Sequence, residues 1–347
     1  MECLEEIYSK PQILYEEEMI VVTGGAGFIG SALVSKLNAL GITDILIVDN
    51  LGTSSKWRNL NSIHFNDFIN KNDIFSLFNN SPHLLGEIKT IFHMGACSST
   101  TESDVDYLMI NNFHCSRHYW EICAERGIPY IYASSAATYG NGEVGYSDAP
   151  EEMYKIRPIN PYGFSKHIFD RWALSSRRRP PFWAGLKFFN VFGPNEYHKN
   201  AQMSLVCKAV PQILSTGKLR LFKSHKDGIG HGEQMRDFIY VKDVVDALLH
   251  FYQRSTPGIE SGVYNLGTGV ARSFADLGRA TFKALNIPEK FEWIDMPLEI
   301  RDQYQYFTQA DLYRLRNQGK YLKSFTPLET AVEDYVKNYL SPEPKYL

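Results

Sequence analysis

The run MIVVTGGAGFIG, Met19 to Gly30, decides the fold. Its first five residues are apolar or β-branched and read as a short buried strand. The turn that follows satisfies two glycine spacings at once. Gly25, Gly27 and Gly30 make G-x-G-x-x-G, and Gly24, Gly27 and Gly30 make G-x-x-G-x-x-G. Ser31–Leu40 then reads as a helix ended by Gly41, and Asp44–Val48 (DILIV) as a second strand closed by Asp49. Strand, glycine turn, helix and strand make one βαβ unit of a parallel sheet. Either glycine motif alone is common. Between a strand and a helix, with an acid about 20 residues further on, it marks a dinucleotide site. The early glycines permit the tight turn and let backbone approach a pyrophosphate, and Gly30 lets the helix pack closely. The helix N-terminus offers free N–H groups and a partial positive charge.

Outward from this unit, strands fit Thr90–His93, Tyr130–Ala133 and Leu186–Phe189, and helices fit Tyr107–Gly127 and Tyr162–Ser175. This alternation predicts an α/β, doubly wound parallel sheet. Beyond Asn190 the pattern loosens into a loop, a helix over Met203–Leu214, a glycine- and charge-rich stretch at 223–232, and a strand-and-helix unit over Phe238–Gln253. No repeat or linker separates the parts, so a smaller substrate domain is expected to interleave with the dinucleotide domain. The expected division gives the latter 19–189, with returning segments near 238–266 and 305–328. The substrate domain takes 190–237 and 267–304 with 329–347. Residues 1–18 read as an extension, either a disordered tail or a stretch ahead of a natural start at Met19.

A chain of 347 residues accommodates about two domains. Its 44% hydrophobic and 22% charged residues are ordinary for a globular protein, and a net charge of -3 argues against nucleic-acid binding. Arg177–Arg179 is short and reads as a solvated loop. Five cysteines without a C-x-x-C pair argue against a disulfide framework and a zinc site and suit a reducing cytoplasm. His198 and His225 lack ligand companions at useful spacing, so no metal is expected. No apolar run approaches the ~18 residues of a membrane span, and the acidic N-terminus lacks a signal-peptide layout.

Asp49 at the end of the second strand suits the ribose hydroxyls of NAD. Asn50, Lys56, Arg58 and Lys71 lie just downstream, and the lysines suit the 2′-phosphate of NADP. The residues alone leave that choice open.

Tyr162-Gly-Phe-Ser-Lys166 places a phenol and an ammonium one helical turn apart. A tyrosine acting as a base near neutrality needs its pKa lowered by about 3 units, and a neighbouring lysine cation favours that. Upstream, Tyr130–Gly140 is a strand running into a hydroxyl-rich loop, where Ser135 or Thr138 offers a hydroxyl to a substrate beside Tyr162. Ser134 and Thr138 equally suit loop or capping roles. Arg236 suits a diphosphate clamp through bidentate charge-assisted bonds, or a structural pair with Asp237. Phe222 and Tyr304 fit either a site or a core. Lys199, by its residue type, is a loop lysine beside His198.

Together these features resemble the extended short-chain dehydrogenase/reductase family, over nearly all of Met19–Leu340. The more specific markers are His93–Thr101 (HMGACSSTT), Ala133–Gly140, Asn190–Lys199 (NVFGPNEYHK), Arg236–Phe238 and Phe307–Leu312. The NEYHK segment sets the chain apart from galactose 4-epimerases and 4,6-dehydratases. The resemblance implies a nucleotide-sugar epimerase that oxidises a side-chain carbinol of an ADP-sugar, then reduces it from the other face, with tightly held NADP. It implies Tyr162 and Lys199 as two acid/base groups, with Lys166 and Ser135 supporting. It implies a cofactor site of Gly24, Gly27, Phe28, Ile29, Gly30, Asp49, Asn50, Lys56, Lys71, Met94, Gly95, Ala96, Cys97, Ser98, Asn111, Lys166 and Val191. It implies a substrate site of Asn190, Ala201, Lys208, Phe222, Lys223, Ser224, His225, Arg236 and Tyr304. It further implies a homo-oligomer, a pentamer, in the bacterial cytoplasm, feeding the lipopolysaccharide inner core. Met94 and Asn200-Ala201 depart from the family pattern, Met94 standing where a polar residue is common. The rival readings are another nucleotide-sugar 4-epimerase or 4,6-dehydratase on the same fold, and a non-catalytic dinucleotide sensor.

Overall fold

A computed structural model describes residues 19–254, 256–301 and 304–347; the expected extension over 1–18 lies outside the described residues. In chain order the strands are β1 (Met19–Thr23), β2 (Ile45–Asp49), β3 (Asp67–Asn70), β4 (Ile88–His93), β5 (Tyr130–Ser135) and β6 (Trp183–Phe188). They continue as β7 (Asn190–Phe192), β8 (Leu219–Phe222), β9 (Met235–Tyr240), β10 (Gly262–Leu266), β11 (Ala271–Ser273) and β12 (Phe291–Ile294). Seven of them form one sheet in the order β10-β6-β5-β4-β1-β2-β3, and every pairing in it is parallel. The order turns back at β1, whose neighbours are β2 and β4, which is the switch point of a doubly wound sheet. The fold class expected from the glycine turn is the one observed.

β1 and β2 are buried at every residue because helices cover both faces, so they read as apolar runs without alternation. β3 was not expected: its DFIN sequence is short and exposed at both ends, as an edge strand's is. The helix after the glycine turn runs Phe28–Ala39, starting before the expected Ser31, since the last glycine of the motif already lies inside it. The helix expected over Tyr107–Gly127 is a continuous run from Val105 to Arg126 with a π turn at Met109–His114. That turn presents Asn112, fully buried, to Cys97: its amide donates to the Cys97 carbonyl (2.9 Å) and accepts from the Cys97 N–H (2.9 Å). Such turns gather at functional sites.

After β6 the chain builds two small sheets beside the C-terminal edges of the large one, in the orders β11-β9-β7 and β12-β8. β10 then returns to the edge of the large sheet beside β6. Helix Val241–Gln253 packs on helix Phe28–Ala39, and one apolar cluster joins Leu33 and Leu186 to Val206, Val210 and Leu277, so the cores of the two parts are continuous. Among the described residues no helix is long and apolar enough to cross a membrane.

Candidate active site

The glycine turn is shaped by contact. Gly24 holds a φ of +67°, a conformation that costs only glycine nothing. A Cβ at Gly30 would lie 2.2 Å from the Gly24 carbonyl oxygen, so the helix sits directly on the turn. A Cβ at Gly24 would lie 2.6 Å from the Gly95 nitrogen, which brings the loop after β4 against the turn. The first N–H groups of helix Phe28–Ala39 have no partner within the helix and face a cleft. Asp49 closes the far side. One carboxylate oxygen accepts from the Ala26 N–H (2.9 Å), and the other accepts from the Asn50 N–H (2.7 Å) and the Lys56 ammonium (2.7 Å).

The cleft has a volume of about 1240 Å³. Single small-molecule sites span roughly 300–1,000 Å³. This one has room for a dinucleotide and a second ligand. Of the cofactor residues implied by the resemblance, Gly24, Gly27, Phe28, Ile29, Gly30, Asp49, Asn50, Lys56, Met94, Gly95, Ala96, Ser98, Lys166 and Val191 line it. Lys71, Asn111 and Cys97 do not. The Lys71 ammonium donates to the Asn111 side-chain oxygen (2.6 Å), and Cys97 is held by Asn112. On the substrate side, Asn190, Ala201, Lys208, Phe222 and Tyr304 line the cleft. Phe222 and Tyr304 are therefore wall residues and not interior packing.

Tyr162, Lys166, Ser135 and Lys199 all face this one cleft. Tyr162 and Lys166 come from helix Pro161–Ser175, whose first turn is capped by the Asn160 side chain accepting from the Gly163 N–H (2.7 Å). The Lys166 ammonium donates to the Ala133 carbonyl on β5 (3.0 Å), locking the helix to the strand that ends at Ser135. Burial lowers the Lys166 pKa to about 8, against Asp170, Cys115 and Cys97, which hold it up. For Tyr162 burial leads and raises the pKa, while a hydrogen bond with Ser135 holds it down. In this pocket Lys166 is turned to a carbonyl, and burial is the largest influence on the phenol. Lys199 lies on the opposite loop in a short 3-10 turn, Tyr197–Gln202, kinked at Asn200. Its ammonium sits 5.2 Å from the centre of the Phe28 ring, and burial lowers its pKa against the pull of Glu196.

Thr138, the alternative hydroxyl, is fully buried and outside the cleft: it donates to the Ser135 carbonyl (2.8 Å) and accepts from Lys187 (2.8 Å). Ser134 donates to Asp170 (2.6 Å). Both belong to a polar cluster under the loop that was not anticipated. The Lys187 ammonium and the Asp170 carboxylate meet at 2.6 Å with both side chains wholly buried, and Tyr132 donates to the same carboxylate (2.9 Å). The available signals were Asp170 one turn beyond Lys166 and a lysine inside the apolar run of β6.

Arg236 stands behind the wall, 6% exposed, its guanidinium over the rings of Tyr304 (5.1 Å) and Phe274 (5.7 Å). The structural pair with Asp237 does not form. Asp237 accepts from Thr268, Gly269 and Ala310 instead. Among the described residues no carboxylate neutralises Arg236, whose guanidinium donates to the Met235 carbonyl (2.8 Å). Lys223, Ser224 and His225 lie outside the cleft lining. Lys223 pairs with Asp295 (3.3 Å), the Ser224 N–H donates to His231 (3.1 Å), and the His225 N–H donates to the Tyr306 hydroxyl (3.0 Å). Thr100 and His198, inside two of the quoted markers, also line the cleft, and Gln212 and Gln234 line it without any motif having flagged them. They come from separate elements and share no sequence spacing.

A parallel sheet with a glycine turn at its switch point, and a Tyr/Lys pair facing the same cleft, define the class of a dinucleotide-dependent redox enzyme. The chain belongs to the NAD dependent epimerase/dehydratase family, whose model matches residues 20–267, and its cofactor is a nicotinamide dinucleotide. It is 49% identical over 337 residues to the ADP-L-glycero-D-manno-heptose-6-epimerase of Fusobacterium nucleatum, an alignment covering 95% of this chain and 100% of that protein. It is 47% identical over 329 residues to the protein of that name from Nitratidesulfovibrio vulgaris, again covering 95% and 100%. The crystal structure of Helicobacter pylori ADP-L-glycero-D-manno-heptose-6-epimerase is similar with a TM-score of 0.76 at 27% identity, covering 93% of this chain and 96% of that one. A UDP-N-acetylglucosamine 4-epimerase from Methanobrevibacter ruminantium shares the fold, with a TM-score of 0.74 at 24% identity, over 93% of this chain and 98% of that one.

Proposed function

We propose that this chain converts ADP-D-glycero-D-manno-heptose to ADP-L-glycero-D-manno-heptose by inverting C6, through transient oxidation and re-reduction with tightly held NADP. The carrying observation is that Tyr162 with Lys166 and, on a different loop, Lys199 line one cleft large enough for two ligands. The relatives of this activity at 49% and 47% identity support the substrate.

A bound nicotinamide dinucleotide supplies the hydride acceptor and donor. The residues present fit it: free helix N–H groups for a pyrophosphate, and a turn so tight that Cβ atoms at Gly24 and Gly30 would clash. The ion pair of Asp49 with Lys56 supports NADP over NAD, because it cancels the carboxylate charge that would repel a 2′-phosphate. Tyr162, hydrogen-bonded with Ser135, takes the carbinol proton or returns it. Lys166 stays charged below about pH 8 and orients the phenol's pocket through Ala133. Inversion requires the carbinol oxygen to occupy a second place when the intermediate presents its other face. Lys199, its pKa lowered by burial, exchanges the proton there. Arg236 and Lys208 answer the diphosphate.

The test is to incubate the protein with ADP-D-glycero-D-manno-heptose and follow the C6 configuration by NMR. Appearance of the L-glycero epimer supports the proposal. No change, together with turnover of a UDP- or dTDP-hexose, refutes it in favour of a 4-epimerase or dehydratase. Chromatography of the nucleotide released on denaturation decides the cofactor, with recovered NAD refuting the NADP assignment.

A further inference from the structure

The loop that carries Lys199 is held from three sides. From within, Glu196, fully buried, accepts from the Gly193 N–H (3.1 Å), the Ser204 N–H (2.5 Å) and hydroxyl (2.7 Å), and the Tyr335 hydroxyl (3.2 Å). From the dinucleotide side, the buried Asn59 amide donates both to the Ala26 carbonyl in the glycine turn (2.9 Å) and to the Asn195 carbonyl (3.1 Å). From outside comes the segment 341–347. The Leu347 N–H donates to the Asn195 side-chain oxygen (2.9 Å), and the Tyr197 hydroxyl donates to the Lys345 carbonyl (2.7 Å). The Tyr346 ring meets Tyr197 edge-on at 5.2 Å. The Leu347 carbonyl accepts from Ser62 (2.8 Å), just beyond the turn bearing Lys56. The segment therefore bridges the loop that carries Lys199, through Asn195 and Tyr197, and Ser62 just beyond the turn that carries Lys56, without lining the cleft itself.

We propose that segment 341–347 is a clasp that sets the position of Lys199, with Asn195 and Tyr197 as its positioning residues. This rests on the reading of Lys199 as the second acid/base group. The loop needs such a clasp. Asn195 holds a φ of 76° and Asn200 one of 51°, conformations that persist only where the surroundings impose them. Lys199 makes no hydrogen bond to a carboxylate among the described residues, and its placement follows that of its backbone. Proton transfer tolerates displacements of only about 0.5 Å.

The experiment compares the full chain, a variant ending at Leu340, the double variant Tyr197→Phe/Tyr346→Leu, and Lys199→Met, by steady-state kinetics against pH and by thermal denaturation. The expected result is a ten- to hundred-fold lower kcat in the truncated and double variants, with KM within about threefold. The pH limb that Lys199→Met abolishes should move alkaline as the loosened loop exposes the ammonium. Glu196 and Cys207 face that ammonium and favour its charge, and Lys208 opposes it, unchanged by either variant. If Lys199→Met retains full turnover, the reading of Lys199 falls, whatever the truncation does. If Lys199→Met loses at least about a hundredfold in kcat and its residual activity lacks the limb, while the folded truncated or double variant keeps both kcat and the limb, the clasp is overturned. If the truncated chain does not fold, the double variant decides by the same two readouts.

Discussion

Tyr162 and Lys166 sit in a pocket where burial works against charge on both. For the phenol this means a raised pKa, so its proton leaves only when the site holds compensating positive charge. Tyr162→Phe removes the transferable proton and almost no volume. The expected outcome is a loss of turnover of at least about 10²-fold, with the nicotinamide dinucleotide still recovered from the denatured variant; retained activity would remove the tyrosine from its role. Lys166 gives a pH signature with a definite sign. Its cation is present below its pKa of about 8 and lost as pH rises through that value. Turnover should therefore fall on the alkaline side near pH 8. Lys166→Arg, charged throughout, should carry that limb to higher pH on a lower plateau. A limb that stays put in the arginine variant belongs to another group.

At the scale of elements, the loop after β5 stands on a buried ion pair. Asp170 on helix Pro161–Ser175 and Lys187 on β6 meet at 2.6 Å, and Ser134, Tyr132 and Thr138 complete their hydrogen bonds. Removing one partner leaves the other charge buried and alone, which costs about 3–5 kcal/mol. Asp170→Ala and Lys187→Met should each lower the melting temperature markedly. Replacing both with apolar residues (Asp170→Leu with Lys187→Met) should cost less than the sum of the two, a coupling that denaturant titration reads directly. Additive losses would show that the pair contributes little beyond packing. The sequence marked the elements here but not the pair. A lysine in the run LKFF of β6 gives no sign of which carboxylate lies across the sheet, because that is set by the stacking of helix on strand.

Across the whole molecule, stability and pH are tied through His93. It lies at the end of β4, wholly buried between Thr23 on β1 (2.7 Å) and Ser116 on helix Cys115–Arg126 (3.0 Å). Burial, then the charge of Lys166, lower its pKa from 6.5 to about 3. The folded chain keeps it neutral while the unfolded chain protonates it below pH 6.5. Its contribution is complete above pH 6.5 and shrinks as pH falls towards 3, by about 1.4 kcal/mol per unit. Thermal denaturation from pH 7 to 5 should show this slope, and His93→Asn should flatten it from a lower starting stability. An unchanged slope would assign the acid sensitivity elsewhere, with His167, lowered to about 4 by burial and neighbouring cations, as the next group to replace.

By itself the sequence determined what depends on neighbours along the chain. Met19–Gly30 and Asp49 dictate a βαβ unit and a dinucleotide turn, because glycine spacing, strand burial and helix phase are local properties, and five of the seven strands of the parallel sheet were legible in the same way. The one-turn spacing of Tyr162 and Lys166 was legible for the same reason. What the tertiary structure decided is where distant side chains meet. Nothing local brings Lys199 to the cleft of Tyr162, frees Arg236 from Asp237, joins Asp170 to Lys187, or lays Leu347 on Asn195. Each of these depends on how the two small sheets and the segment 341–347 pack against the large sheet, and burial there, not residue type, sets the charges the chemistry would use.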